Sequence, residues 1–450
     1  MDEQPPPQAK QTGLPAQLVE RLSRPFQRFL HIEAAAGGVL LLCTLAAMLL
    51  SNSPWVHQVE QFWETPVGLH FGDMASVRSL RNWINDGLMT LFFFLVAIEL
   101  KRELVLGELN APRKAALSIA AALGGMLVPA GIYLVMQKGQ IGEVGWGTVM
   151  ATDTAFVIGC LALLGSRIPQ SLRVFMLSLA IVDDIGAILV VTLGYSSHVA
   201  WGALLLAALG FGLVKAMSMM GVRGFALYFL MGGLIWVAMD ASGIHATITG
   251  VLLGLMTPAR RWVSDHRLYA ILGQVIAHPT GNHGSGDTKD RQTLLMAQIA
   301  ARESLSPVER LVMALHPWVG FLIMPLFAMA NAGLTLSFGQ LGNPITTAVV
   351  MGFVLGKPLG VLSFSWLAIG CKVAIKPADL SWRLLTGGGL LAGIGFTMAL
   401  FIANLALSQS QLESAKLGIF IASVLAALAG LSVLVSLPLP AADKAAKRVL

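Results

Sequence analysis

The sequence predicts an all-α polytopic membrane protein of about twelve transmembrane helices, and three observations carry that prediction. The chain is 56% hydrophobic and only 12% charged, with a mean hydropathy of +0.73, whereas roughly 25% of residues are charged in an ordinary soluble domain. Twelve apolar runs reach, or nearly reach, the length that crosses a bilayer core. They start near Leu30, Ile84, Ala115, Gly147, Leu172, Val199, Gly224, Ile244, Leu315, Ala348, Leu384 and Lys416, the Ile244 run being the shortest. The basic residues are also sorted by loop: with the N-terminus inside, inner segments hold 25 of the 30 Lys and Arg, outer segments hold 4, and Lys357 is left within the membrane. Such asymmetry sets topology, so both ends are expected in the cytoplasm of a cell whose inner membrane holds the chain.

The organisation follows from those runs. Residues 1–30 are read as a cytoplasmic tail and interfacial helix, 31–257 as spans one to eight, 258–314 as a cytoplasmic insertion, 315–437 as spans nine to twelve, and 438–450 as a second tail. The net charge of +6 is not the footprint of a nucleic-acid binder, because the basic residues form no stripe. The start, MDEQPPPQAK, has no basic segment before an apolar one, so no cleavable signal is expected. Cys43, Cys160 and Cys371 lie in or beside spans and predict no disulfide framework.

In order along the chain, Leu18, Leu22, Phe26 and Phe29 share a helical face with Arg21, Arg24 and Arg28 among them, which suits a helix at the inner interface or a frayed start to the first span. Near 54–81, PVGLHF alternates before Gly72 and Asp73 and MASV follows, the pattern of a short outer hairpin. Its open edges would either pair with a second copy or cap an outer vestibule. The second span closes on Glu99, Lys101, Arg102 and Glu103, read either as interface anchors or, for the two glutamates four apart on one face, as the lining of an inner mouth. His245 in SGIHATITG is read as a structural residue or a switch. In the insertion, Leu268, Ile271, Leu272 and Val275, then Leu294, Leu295 and Ile299, fall at helical spacing on either side of PTGNHGSGDTKD. His278, His283 and Asp287 in that glycine-rich stretch read as solvated linker rather than as metal ligands.

Three features mark a site at mid-depth. Asp183 and Asp184 sit together in SLAIVDDIGAILVVT, where each charge costs roughly 2.5 to 3.5 kcal/mol on insertion scales. Lys357, in the middle of span ten, cannot snorkel to either interface and needs a carboxylate; Pro358 removes a backbone donor beside it. Thr152, Asp153 and Thr154 stand in succession in ATDTAFVIG. The hydroxyls could bond carbonyls of an intact helix, but a charge between them favours an unwound segment lining a cavity. Span eleven carries Gly387, Gly388, Gly389, Gly393 and Gly395, which serve close packing or a second break. AFVIGCLALL at Ala155 and ALFIANLALS at Ala399 agree at five of ten positions, setting Asp153 opposite Thr397. Spans four and eleven run in opposite directions, as an inverted-topology repeat requires.

With WINDG, IELKREL, GGMLVPA, ATDTAF, ALLGSR, AIVDDIGAI, SGIHAT, LHPWV, PLFAMANAG, GKPLG and GIGFTM in place between about Ala34 and Leu437, the chain resembles the NhaA-type sodium/proton antiporter family. The resemblance implies that spans four and eleven are broken and cross, that Asp183 and Asp184 carry the exchange, and that Lys357 pairs with Asp183. It also implies that Asp153 and Lys357 offset the facing helix ends, and that the outer hairpin supports a homodimer. Where family members can carry Glu-His before LHPWV, this chain has Val312 and Met313, and its inner loop is longer. The pH-response candidates are therefore Glu99, Arg102, Glu103, His245, Glu309 and His316.

The residues themselves require only competition: two neighbouring buried carboxylates titrate as one unit, and when ionised offer hard oxygens, with Thr152 or carbonyls, to Na⁺ or Li⁺. Protons and cation then exclude each other, and losing more protons than the one charge gained makes the exchange electrogenic. No cofactor and no enzymatic activity are expected. The alternatives are a Na⁺-coupled symporter of a small organic anion on the same scaffold, an intramembrane aspartyl protease using Asp153 with Asp183, and a passive channel, for which no ring of charge is evident.

Overall fold

The computed structural model describes residues 33–71, 74–107, 112–194, 199–222, 224–277, 288–334 and 338–437. The helix read over residues 14–30, the tail from residue 438, and His278, His283 and Asp287 lie outside them. The regular secondary structure of the described residues is helical apart from one hairpin. The order is α1 (Glu33–Ser51), α2 (Val56–Trp63), β1 (Pro66–Phe71), β2 (Met74–Ser79), α3 (Met89–Leu106), α4 (Pro112–Met136), α5 (Thr154–Leu163), α6 (Gln170–Gly194), α7 (Trp201–Met219), α8 (Phe225–Ala241) and α9 (Ile248–Met256). It continues with α10 (Asp265–Ala277), α11 (Thr288–Glu303), α12 (Pro307–Trp318), α13 (Met324–Asn331), α14 (Pro344–Met351), α15 (Lys357–Gly370), α16 (Trp382–Ala392), α17 (Phe396–Ala406) and α18 (Gln409–Ser436).

Every predicted apolar run holds a helix. Seven are long and apolar enough to cross a membrane, and three bent pairs raise the number to as many as ten. The remaining two, α8 and α9, have 17 and 9 residues, short of the roughly 20 of a full crossing. The fourth and eleventh runs are both interrupted. A 3₁₀ segment, Ile141–Val149, meets α5 at 45°, and α16 meets α17 at 44°. The hairpin pairs β1 and β2 antiparallel, Pro66 opposite Ser79 and Phe71 opposite Met74. The three cysteines are free thiols.

What positions the mid-depth residues is close helix packing. Cβ atoms added at Gly124 on α4 or Gly360 on α15 would run into the other helix's backbone, so these helices touch main chain to main chain. Lys357, the first residue of α15, is thereby held against α4, where a Cβ at Gly125 would lie 3.8 Å from its Nζ. A π-helical turn, Gly352–Gly356, precedes it; Pro358 cannot donate a backbone hydrogen bond, and the widened turn absorbs the mismatch.

Candidate functional site at the crossing of two broken helices

The backbone at both breaks is satisfied by the opposite break. Asp153 N–H donates to Ile394 O at 2.6 Å, and Thr152 Oγ1 lies 3.0 Å from Ala392 O. Irregular backbone at this depth needs such cover, because no solvent reaches it. The glycines of the second break make room for the contact. Cβ atoms at Gly393 and Gly395 would strike Phe353, through its carbonyl oxygen at 2.8 Å and its ring respectively, and the one at Gly395 would also lie 3.2 Å from Ala151 O.

Asp153 is the N-cap of α5, with extended backbone (φ −87°, ψ 97°), and its Oδ1 accepts from Phe156 N–H at 3.2 Å. Its Oδ2 accepts from Thr397 N–H at 2.9 Å and from the Thr397 hydroxyl, in the first turn of α17. One fully buried carboxylate therefore caps the starts of both second half-helices, where unpaired N–H groups and the helix dipole favour negative charge. Asp153 and Thr397 are also the positions that align with each other in the internal repeat.

Asp183 and Asp184 lie midway along the unbroken α6 and are 0% and 2% exposed. Asp183 Oδ2 accepts from Lys357 Nζ at 2.6 Å and from Thr152 Oγ1 at 2.7 Å. Lys357 is itself 0% exposed, so the ion pair is dry, with Thr152 and the neighbouring Asp184 beside it. Asp184 Oδ2 accepts from Thr154 Oγ1 at 3.3 Å. The second oxygens, Asp183 Oδ1 and Asp184 Oδ1, are buried without a hydrogen-bond partner. Buried carboxylate oxygens are costly to leave so, and carboxylate oxygens are hard donors. Among the described residues no group of three His, Cys, Asp or Glu side chains could hold a metal ion; the donors at the crossing are carboxylate and hydroxyl oxygens.

The six pH-response candidates divide between two places. Glu99, Arg102 and Glu103 sit on the last turns of α3, facing α12: His316 Nε2 is 3.9 Å from Glu99 Oε1, and Arg102 is 3.5 Å from Glu103 Oε1. Glu309 lies in the same neighbourhood, within electrostatic reach of Arg102 and 3.7 Å from Arg261. It also closes a capping box with Ser306, accepting from its N–H and hydroxyl at 2.8 Å. His245 is elsewhere, in the loop between α8 and α9, where it acts on Asp86 at the opposite end of the second run. Val312 is core, whereas Met313 is 66% exposed.

Two polar clusters had no signal in the sequence. Arg78 of β2 is 3.0 Å from Asp86 and is also paired with Asp240, and its guanidinium lies 5.8 Å over the Trp236 ring. The two acids push the Arg78 guanidinium further above its already high range. Asn85, Asn331 and Asn404 join the second, ninth and eleventh runs, Asn331 Nδ2 donating to Asn85 Oδ1 at 2.7 Å and Asn404 Nδ2 to Asn331 Oδ1 at 3.4 Å. Both clusters link residues far apart in the chain, and periodicity carries no information about such pairs.

Comparison with known proteins agrees with this architecture. Residues 27–434 match the family model described as Na+/H+ antiporter 1. A protein named Na(+)/H(+) antiporter NhaA 2 from Acidiphilium cryptum (strain JF-5) is 58% identical over 429 residues, covering 95% of this chain and 96% of the relative. Na(+)/H(+) antiporter NhaA from Rhizobium meliloti (strain 1021) is 58% identical over 427 residues, covering 95% and 98%. Among solved structures, that of the sodium proton antiporter MjNhaP1 from Methanocaldococcus jannaschii at pH 8 superposes with a TM-score of 0.50 over 93% of this chain and 99% of that one, at 10% identity. That likeness concerns the fold alone.

Proposed function

The chain belongs to the Na+/H+ antiporter 1 family, multi-pass membrane transporters rather than enzymes, and from that premise we propose that it exchanges Na⁺, or Li⁺, for H⁺ across the inner membrane by competition at Asp183 and Asp184. The observation that carries the reading is the pair of unpartnered, buried Oδ1 atoms on these adjacent residues. Each Oδ1 takes either a proton or a share of one cation. Asp183 Oδ2, held by Lys357 and Thr152, and Asp184 Oδ2, held by Thr154, fix the carboxylate planes while the other oxygens do the binding.

Thr152 has one hydroxyl proton and two acceptors, Asp183 Oδ2 and Ala392 O. With Asp183 ionised, that proton serves the carboxylate; with Asp183 protonated, it turns to the carbonyl of the second broken helix. The protonation state of the site is thereby communicated to the crossing. A cation shared by the two Oδ1 atoms displaces a proton from each carboxyl group. More protons leave than the single charge that enters, so exchange is electrogenic, each net charge being worth roughly 2.3 kcal/mol per 100 mV. Asp153 stays with the helix ends and takes no part in the competition.

Both termini and the 258–314 insertion face the cytoplasm in this reading, supported by the distribution of Lys and Arg. The open edges of the β1–β2 hairpin support a homodimer. The symporter alternative finds no support at the crossing, where Lys357 is already committed to Asp183.

The test is collapse of an imposed proton gradient in proteoliposomes on adding Na⁺ or Li⁺, from pH 6 to 9. The expected result is discharge by both ions, with half-saturation rising at least about tenfold per unit fall in pH where protons compete with the cation. No discharge by either ion at any pH would overturn the reading.

A further inference from the structure

The segment between α9 and α12 contributes nothing to the crossing, yet its second helix carries an uncovered apolar face. α10 and α11 pack on each other, and on α11 Ala297 and Ala300 are buried. Leu294, Leu295, Met296 and Ile299 are instead 54, 56, 61 and 53% exposed. At about 100° per residue, Leu295 and Ile299 point away from the two alanines, with Leu294 and Met296 on either flank. Gln298 falls between Leu294 and Leu295 around the helix, and among the described residues all four apolar side chains are more than half exposed.

Its surroundings identify what covers it. Only residues 304–306 separate Glu303, the last residue of α11, from Pro307, the first of the membrane-crossing stretch Pro307–Asn331, and an extended chain covers those four steps in roughly 14 Å. Glu303 and Arg310 form an ion pair at 3.2 Å with side chains 7% and 10% exposed. The Arg310 guanidinium sits 4.6 Å over the Phe225 ring at the start of α8. Val263 N–H donates to Glu303 O at 3.3 Å, drawing the two ends of the insertion together. α11 is therefore tied down at the level where spans begin. Trp262 and Tyr269, 42% and 74% exposed, are aromatic types enriched at headgroup depth. From Pro258 to Ser306 the chain carries six basic residues against four acidic ones, the sign that complements an anionic leaflet.

We propose that α11 is a lipid-docking helix whose Leu294–Ile299 face lies in the headgroup layer of an anionic phospholipid surface, beside the start of α12. This assignment is independent of which ions the chain carries.

The test uses full-length protein with the three free cysteines replaced by serine and a nitroxide at one of three positions. These are Leu295→Cys, Leu209→Cys as a lipid-facing reference on α7 (64% exposed), and Lys372→Cys as a water-facing reference in an exposed loop. In vesicles of phosphatidylethanolamine with phosphatidylglycerol, the label at 295 is expected to favour collision with oxygen over a water-soluble nickel chelate, as at 209. Adding Ile299→Glu, or changing to phosphatidylcholine alone, is expected to shift the ratio at least threefold toward the value at 372. A ratio at 295 equal to that at 372 in the anionic vesicles overturns the proposal. So does a ratio indifferent to lipid charge, or dipolar broadening that reports a second copy against the face. Should the labelled variants fold poorly, hydrogen exchange of the α11 amides in unmodified protein decides. It should be at least tenfold slower in phosphatidylglycerol than in phosphatidylcholine nanodiscs, and equal rates overturn the assignment.

Discussion

Asp153 at the helix breaks and the Asp183–Asp184 pair on α6 are buried acids that differ in what their oxygens do. Both oxygens of Asp153 are taken, one by the start of α5 and the other by the start of α17. Each of Asp183 and Asp184 has one oxygen engaged and one without a partner. A carboxylate saturated by helix ends holds its charge as part of the framework. A half-satisfied carboxylate gains from a proton or a cation. Burial alone therefore does not identify a binding acid; the unfilled lone pairs do.

Four measurements can break or sharpen this contrast. The largest effect is expected for Asp184→Asn, which removes a charge and a ligand oxygen: Na⁺-dependent proton release in proteoliposomes should fall by about 100-fold or more, at or beyond the upper range for ligand-sphere changes. Retained activity would return Asp184 to the framework class. Next, Lys357→Met leaves Asp183 Oδ2 without its cation in a dry site, and breaking a buried pair costs about 3 to 5 kcal/mol. Thermal unfolding in detergent should show that loss, with much of it recovered by Asp183→Asn in the same chain. A Lys357→Met protein as stable as the parent would mean that the pair is wetter than its burial indicates.

Asp153→Ala should lower stability by about 2 to 4 kcal/mol, two N-caps at up to about 2 kcal/mol each, whereas Asp153→Asn, which keeps an acceptor oxygen, should lose less than half of that. If Asp153→Asn instead abolished transport without any loss of stability, the division between the two regions would collapse. The smallest effect belongs to Thr154→Val, which removes one 3.3 Å hydrogen bond from Asp184. Apparent Na⁺ affinity should change by no more than about tenfold, the equivalent of roughly 1.4 kcal/mol. A larger change would make Thr154 a ligand rather than a support.

Much of this site is legible in the residues, for local reasons. ATDTAF announces a break because a charge flanked by hydroxyls is out of place in a lipid-facing helix, and the structure has one there. Lys357 has no route to water, so a carboxylate partner is required; which of the nearby acids it meets depends on how α6 and α15 are packed, and only the family resemblance named Asp183. The second break is less visible, since glycines serve close packing as well as interruption. Long-range polar contacts leave no local trace. Arg78 and Asp240 are 162 residues apart, and Asn85 and Asn331 are 246 apart. Likewise, Glu99, Arg102, Glu103, Glu309 and His316 gather at one end, while His245 belongs with Asp86 at the other. Twelve apolar runs were legible, but seven helices, or ten with the bent pairs, are long and apolar enough to cross, and α8 and α9 fall short by length.

The main-chain contact between Gly124 and Gly360 has a mechanical corollary. No side chain fits between α4 and α15 at that point, so a larger residue at either glycine would pry the two helices apart. Because Lys357 starts α15 three residues before Gly360, such a wedge would also pull its ammonium away from Asp183 on α6.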